Sequence, residues 1–191
     1  MFSKQPRFLL VFLALLLIPI TGLVAQDAPT DTIVITDALG REVTLEQAPQ
    51  RIVVTGKGLF MIADAIYAFP EASSRIVAIG RTTQMTLDFM PVIDPNYADK
   101  TVLDVQAGAE QIAASQPDLV LLKSISAETL GTPLEALGIP VVYVDFENPE
   151  QYERDLTTLG LIFQNEDRAQ ELIAFFQERT ERITSVTESL T

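Results

Sequence analysis

Short apolar runs alternate along this chain with longer segments in which apolar residues recur every three or four positions. The short runs predict strands buried on both faces, and the recurring spacing predicts helices that cover them. The four predicted strands are residues 51–55, 75–79, 118–122 and 140–144. This order predicts an α/β fold, with a parallel sheet covered by helices.

Other segments surround this pattern. Residues 32–36 and 41–45 are β-rich runs around a turn that ends at Gly40, which predicts a β-hairpin. Residues 80–105 contain prolines and lack a clear period, so we expect a long loop with one short helix. The predicted helices are residues 59–69, 109–115, 127–137, 149–163 and 165–190.

One predicted helix carries a complete start signal. Asn148 is a residue type that caps helix N-termini, and Pro149 follows at the first turn, where a missing N–H costs nothing. We therefore expect the helix to begin at Pro149.

The N-terminus has the pattern of a secretory signal peptide. Lys4 and Arg7 precede an apolar run over residues 8–20, and Ala25 is a suitable cleavage residue. We expect a signal peptide over 1–25 and a polar linker over 26–31. An uncleaved membrane anchor is the alternative, because residues 8–25 number 18, which is the lower limit for a membrane-spanning helix.

Composition removes several classes of function. The chain has no cysteine and no histidine, and its 26 acidic against 13 basic residues give a net charge of −13. Disulfides, thiol chemistry and a lipid anchor on cysteine are thereby excluded, and histidine-based zinc sites or general bases are too. Such an acidic chain is also unsuited to nucleic acid. We expect no cofactor and no catalytic residue.

Basic residues follow three of the four predicted strands. Ligands of open parallel sheets bind outside the carboxyl ends of the strands. Lys57, Arg81 and Lys123 lie in these loops. We hypothesise that they face one cleft and hold an anionic ligand. The alternative is that they are ordinary polar loop residues.

Two other chemistries fit the sequence less well. Gly56-Lys57-Gly58 follows a strand and precedes a helix, as phosphate loops do, but neither full nucleotide pattern is present. The loop carboxylates, Asp145 and Glu147 among them, match no calcium motif and are interpreted as solvated acids.

A family resemblance rests on an ordered set of segments. They are ITDALGREVTL (35–45), RIVV (51–54), RIVAIG (75–80), EQIAASQPDLV (110–120), LGIPVV (137–142) and LGLIF (159–163), with Arg168 and Ala169 after them. Together they resemble the N-terminal lobe of the periplasmic binding proteins that serve ABC importers of ferric siderophores, haem and cobalamin. The resemblance implies a lobe over 32–164 and a long interlobe helix over 165–191, with the second lobe absent.

The resemblance also implies a function. The chain would be a periplasmic solute-binding protein that captures a ferric siderophore, a similar anionic chelate or cobalamin in a cleft between two lobes, and delivers it to an ABC permease. Glu110 would dock on the permease. The residues expected to contact the ligand are Lys57, Gly58, Phe60, Arg81, Thr82, Met85, Lys123, Ser124 and Phe146. The alternative is a one-lobe exported interaction or sensory protein that transports no solute.

Overall fold

The computed structural model describes residues 32–81 and 89–188. Its strands are β1 (Ile33–Thr36), β2 (Glu42–Leu45), β3 (Ile52–Val54), β4 (Ile76–Gly80), β5 (Thr101–Leu103), β6 (Leu119–Lys123) and β7 (Val141–Val144). Its α-helices are α1 (Leu59–Ile66), α2 (Ala72–Arg75), α3 (Met90–Ile93), α4 (Ala109–Ala113), α5 (Thr132–Ala136), α6 (Pro149–Phe163) and α7 (Glu166–Glu188). The expected signal peptide and linker lie outside the described residues.

Five strands form one parallel sheet in the order β5-β4-β3-β6-β7. The chain starts in the middle at β3, builds outward through β4 and β5, and then crosses to β6 and β7 on the other side. The direction of building reverses between β3 and β6, so a crevice opens outside the carboxyl ends of these two strands.

Both faces of the sheet are covered, which explains why its strands are continuously apolar. One face packs against the hairpin and helices α1, α6 and α7. The other packs against α4 and α5. Successive side chains of β3 point to opposite faces of the sheet: Val54 packs in the core on the side of α1, α6 and α7, and Val53 packs in the core on the side of α4 and α5. The predicted parallel α/β fold with a long final helix is confirmed.

The structure corrects two details of the prediction. The sheet has a fifth strand, β5, within the segment expected to be a loop; it lies at the sheet edge, and because it begins with an exposed threonine it does not form a continuous apolar run. The segment expected to be one helix over 127–137 starts with a π turn over Ala127–Gly131, and only α5 is α-helical there; a 3₁₀ turn over Ser124–Ser126 precedes it.

The hairpin formed by β1 and β2 closes one edge of the sheet. The backbone N–H of Ala38, in its turn, donates to the carbonyl of Tyr143 in β7 at 2.9 Å. The Arg41 guanidinium lies over the Tyr143 ring and donates to the Val141 carbonyl at 3.1 Å. These contacts occupy the outer side of β7, so that edge is not free to pair with another chain.

The expected start of α6 is confirmed. The Asn148 side chain accepts a hydrogen bond from the Gln151 N–H at 2.9 Å, and Pro149 occupies the first helical position. Asn148→Ala should therefore lower the free energy of unfolding by about 1 kcal/mol. Asn148→Asp should lower it much less, because aspartate also caps helices. Urea unfolding followed by circular dichroism measures both. Equal losses in the two variants would contradict the capping role.

Candidate functional site

An open cleft lies at the point where the strand order reverses. Its volume is about 760 Å³. Four segments line it: residues 56–59 after β3, Arg81 after β4, residues 105–108 after β5, and Ser126, Thr129 and Leu130 after β6. We call it the switch-point cleft. All four segments follow the carboxyl ends of strands, where the sequence placed the site.

Two of the three predicted cations line this cleft. Lys57 and Arg81 are both exposed and lie in the segments of its wall that follow the neighbouring strands β3 and β4. Across residues 32–81 and 89–188, neither side chain forms an ion pair. Two positive charges that form no ion pair with another described residue favour the approach of an anion to the cleft, in a chain whose net charge is −13.

The shape of the first wall depends on two glycines. Gly56 and Gly58 both have positive φ, 87° and 67°. A Cβ on Gly56 would lie 3.0 Å from the Ser126 hydroxyl oxygen, which accepts a hydrogen bond from the Lys57 N–H at 3.3 Å. The close approach of the β3 and β6 loops therefore requires glycine here.

Lys123, the third predicted cation, is placed differently. It is the last residue of β6, is 5% exposed and is not among the residues that line the cleft. Its ammonium donates to a Glu147 carboxylate oxygen and lies 3.4 Å from the Met61 sulfur. Its methylene chain runs against Gly58, which itself lines the cleft. Its charge is therefore matched within the protein.

The other residues predicted to contact the ligand fall into three groups. Ser124 donates its hydroxyl to Asp145 at 2.6 Å, and Phe60 stacks on Phe89 at 5.4 Å between ring centroids. Phe146 is 5% exposed and packs in the core against Tyr152. Thr82 and Met85 lie outside the described residues. A ligand contact by any of these residues stays a prediction.

A buried carboxylate fixes the loop after β7. Asp155 of α6 is fully buried and accepts from the backbone N–H groups of Asp145 and Phe146 at 2.7 and 2.9 Å. Arg154 Nε donates to the same carboxylate at 2.7 Å, and this hydrogen bond raises the pKa of the Arg154 guanidinium. Asp155 thus holds Phe146 at its positive φ of 57° and positions Glu147 beside Lys123.

Sequence reasoning placed the loop after β6 at the site, but it missed residues 105–108 and did not extend the fourth segment of the cleft to Thr129 and Leu130. Residues 105–108 belong to it because they follow β5, the strand that was not predicted. Ser126 and Thr129 lie in the 3₁₀ and π turns after β6. The sequence signal for Ser126 and Thr129 was the segment 124–129, which carries three hydroxyl side chains directly after a buried strand.

Three further observations bear on function. Glu110, the predicted docking residue, is exposed in the first turn of α4. Among the described residues, no group of three or more acidic side chains is arranged to hold a metal ion. No helix within the described ranges is long and apolar enough to cross a membrane.

A protein-family model matches this sequence. The model describes a periplasmic binding protein and matches residues 75–191, more than half of the chain. No curated protein matches the sequence significantly.

Solved structures share the fold at low sequence identity. The TroA-like periplasmic binding protein FepB from Veillonella parvula superposes with a TM-score of 0.66 and 24% identity, over 78% of this chain and 48% of its own. An ABC-type Fe³⁺-hydroxamate transport system protein from Saccharomonospora viridis gives a TM-score of 0.59 and 23% identity, over 84% of this chain and 58% of its own.

A third similar structure contains its ligand. The siderophore-binding protein BauB, bound to two acinetobactin molecules and ferric iron, gives a TM-score of 0.60 and 21% identity over 82% of this chain and 55% of its own. The chain thus spans about half the length of the solved structures that it matches.

Proposed function

Because the chain belongs to the periplasmic binding protein family, we propose that it captures an anionic ferric chelate of the siderophore type in the switch-point cleft and delivers it to an ABC permease. Members of this family bind solutes and are not enzymes. In this proposal residues 32–164 are the ligand-binding lobe, and α7 leads away from it. The signal peptide over 1–25 exports the chain to the periplasm.

One observation carries the choice of ligand class. Lys57 and Arg81 line the same cleft without a carboxylate partner among the described residues. The chain also has no histidine and no cysteine, the side chains with which proteins most often bind zinc. A metal that arrives already enclosed in an anionic chelator needs only positive charge, hydrogen bonds and a matching shape from the protein.

The solved structures support the same class of ligand. Two of the similar proteins are described as a siderophore-binding protein and as part of an Fe³⁺-hydroxamate transport system. Glu110 is the residue that we propose for contact with the permease, because its carboxylate is exposed beside residues 105–108 of the cleft wall.

Neutralising the cleft cations should weaken binding of an anionic chelate. We expect Lys57→Gln and Arg81→Gln each to lower the affinity for the ferric complex of a hexadentate tris-catechol, which is anionic, by about tenfold. Affinity for the neutral ferric complex of a hexadentate tris-hydroxamate should change less than about twofold. Quenching of tyrosine fluorescence measures both, since the chain has four tyrosines and no tryptophan.

The matched control is Arg182→Gln, which removes one positive charge from the exposed side of α7. It should leave both affinities unchanged. If Arg182→Gln weakened binding of the anionic complex as much as Lys57→Gln does, net charge would explain the effect. The assignment of the cleft as the binding site would then be wrong. If the wild-type chain bound neither complex, the proposed ligand class would be wrong.

A further inference from the structure

The ion pair between Lys123 and Glu147 joins a buried cation to an exposed anion. The Lys123 side chain is 6% exposed, whereas the Glu147 side chain is 57% exposed. Glu147 therefore lies over the ammonium on the solvent side. A buried ammonium without a counter-ion is costly, so a negative group must occupy this position.

The two partners differ in how firmly they are held. The Lys123 backbone is part of the sheet, paired with Val144 of β7, and its methylene chain is confined by Gly58. The Glu147 backbone is held by its N–H bond to the Gln151 side chain at 2.9 Å. Its carboxylate has Lys123 as its one partner among the described residues. The carboxylate is thus the part of the pair that can move away.

The surroundings of the ammonium connect it to the cleft. Gly58 lines the switch-point cleft, and a Cβ added to it would collide with the Lys123 methylene chain. Met61, whose sulfur lies 3.4 Å from the ammonium nitrogen, is 37% exposed. The ammonium therefore lies next to the cleft wall, under a cover made by Glu147 and a flexible methionine.

We propose that Glu147 is an exchangeable counter-ion, which occupies Lys123 until an anionic group of the ligand takes its place. Glu147 then competes with the ligand and sets the preference of the site for strongly charged chelates. The inference rests on the function proposed above and assigns to that site a third cation, which becomes available only when Glu147 withdraws.

The test compares Glu147→Gln with Glu150→Gln in the full chain. Both variants remove one negative charge, but only the first touches Lys123. We expect Glu147→Gln to bind the anionic ferric tris-catechol complex about fivefold more tightly than wild type, with the neutral tris-hydroxamate complex unchanged. Glu150→Gln should match wild type with both probes. Lys123→Gln should bind the anionic complex more weakly, which a merely structural ion pair does not predict.

The outcomes separate this inference from the proposed function. If the wild-type chain binds the anionic complex and Glu147→Gln binds it equally or more weakly, the exchange is overturned and the proposed function stands. An equal gain in Glu150→Gln would also overturn it, because general charge would explain the result. If no variant binds either complex, the proposed function fails and the exchange fails with it. Circular dichroism verifies that each variant is folded.

Discussion

Asp155→Ala is expected to lower the free energy of unfolding by about 4 kcal/mol, the largest loss that we expect from one substitution in this chain. The carboxylate is fully buried and serves three donors: two backbone N–H groups and the Arg154 side chain. Alanine would leave both N–H groups without an acceptor. It would also free Phe146 from the contact that holds its left-handed backbone.

Asp155→Asn separates the charge from the hydrogen bonds. One carboxylate oxygen accepts from both backbone N–H groups, and an amide oxygen can replace it there. We therefore expect Asp155→Asn to lower the free energy of unfolding by roughly half as much as Asp155→Ala. Urea unfolding at neutral pH gives both values. Glu153→Ala removes an exposed carboxylate two residues earlier and should cost no more than about 0.5 kcal/mol. If Asp155→Ala were as mild as this control, the role assigned to Asp155 would be wrong.

Asp94→Ala is expected to cost about 3 kcal/mol, because it breaks a buried ion pair on one side only. Asp94 is 1% exposed, and its carboxylate lies 3.2 Å from the ammonium of Lys100, whose side chain is 3% exposed. It also accepts hydroxyl hydrogen bonds from Tyr67 and Ser73, both at 2.5 Å. The paired replacement, Asp94→Ala with Lys100→Met, should restore most of the stability, since no charge is then left buried.

The same cluster makes stability depend on pH. Burial alone would raise the pKa of Asp94, but hydrogen bonds from Ser73, Tyr67, the Asn96 N–H and Lys100 outweigh it and lower the pKa. The folded pKa then lies below the unfolded value of about 3.9. The stabilisation is complete above the unfolded value and is lost as the pH falls through the folded one.

Thermal melting between neutral pH and about pH 3 measures this loss. Wild-type chain should lose more stability over that interval than Asp94→Asn, which has no carboxyl to protonate at this position. Parallel curves for the two proteins would show that Asp94 does not contribute to the acid sensitivity.

The sequence predicted elements whose signals are local. Continuous apolar runs identified β3, β4, β6 and β7, and Asn148 followed by Pro149 identified the start of α6. β5 was not predicted because it begins with an exposed threonine and is not continuously apolar, unlike β3, and its place in the sheet depends on pairing with β4. The cleft residues 105–108 were missed for the same reason.

The placement of Lys123 shows a different limit. Its position after a buried strand predicted a cation at the carboxyl edge, and it does lie at that edge. Its burial depends on Glu147, which follows β7, and a partner from a neighbouring strand cannot be assigned until the strand order is known. Strand order is a property of tertiary packing, so the charge balance of the site needed the structure.

The hairpin that closes the outer edge of β7 has a consequence for folding kinetics. Ala38 and Arg41 reach partners about a hundred residues further along the chain, Tyr143 and Val141. Contacts of such sequence separation form slowly, because a long loop must close before they contribute any stability. During synthesis the hairpin leaves the ribosome early, yet its docking strand emerges late. The hairpin is made before β7 but can dock only after it. Until then the β7 edge is open to pairing with other chains.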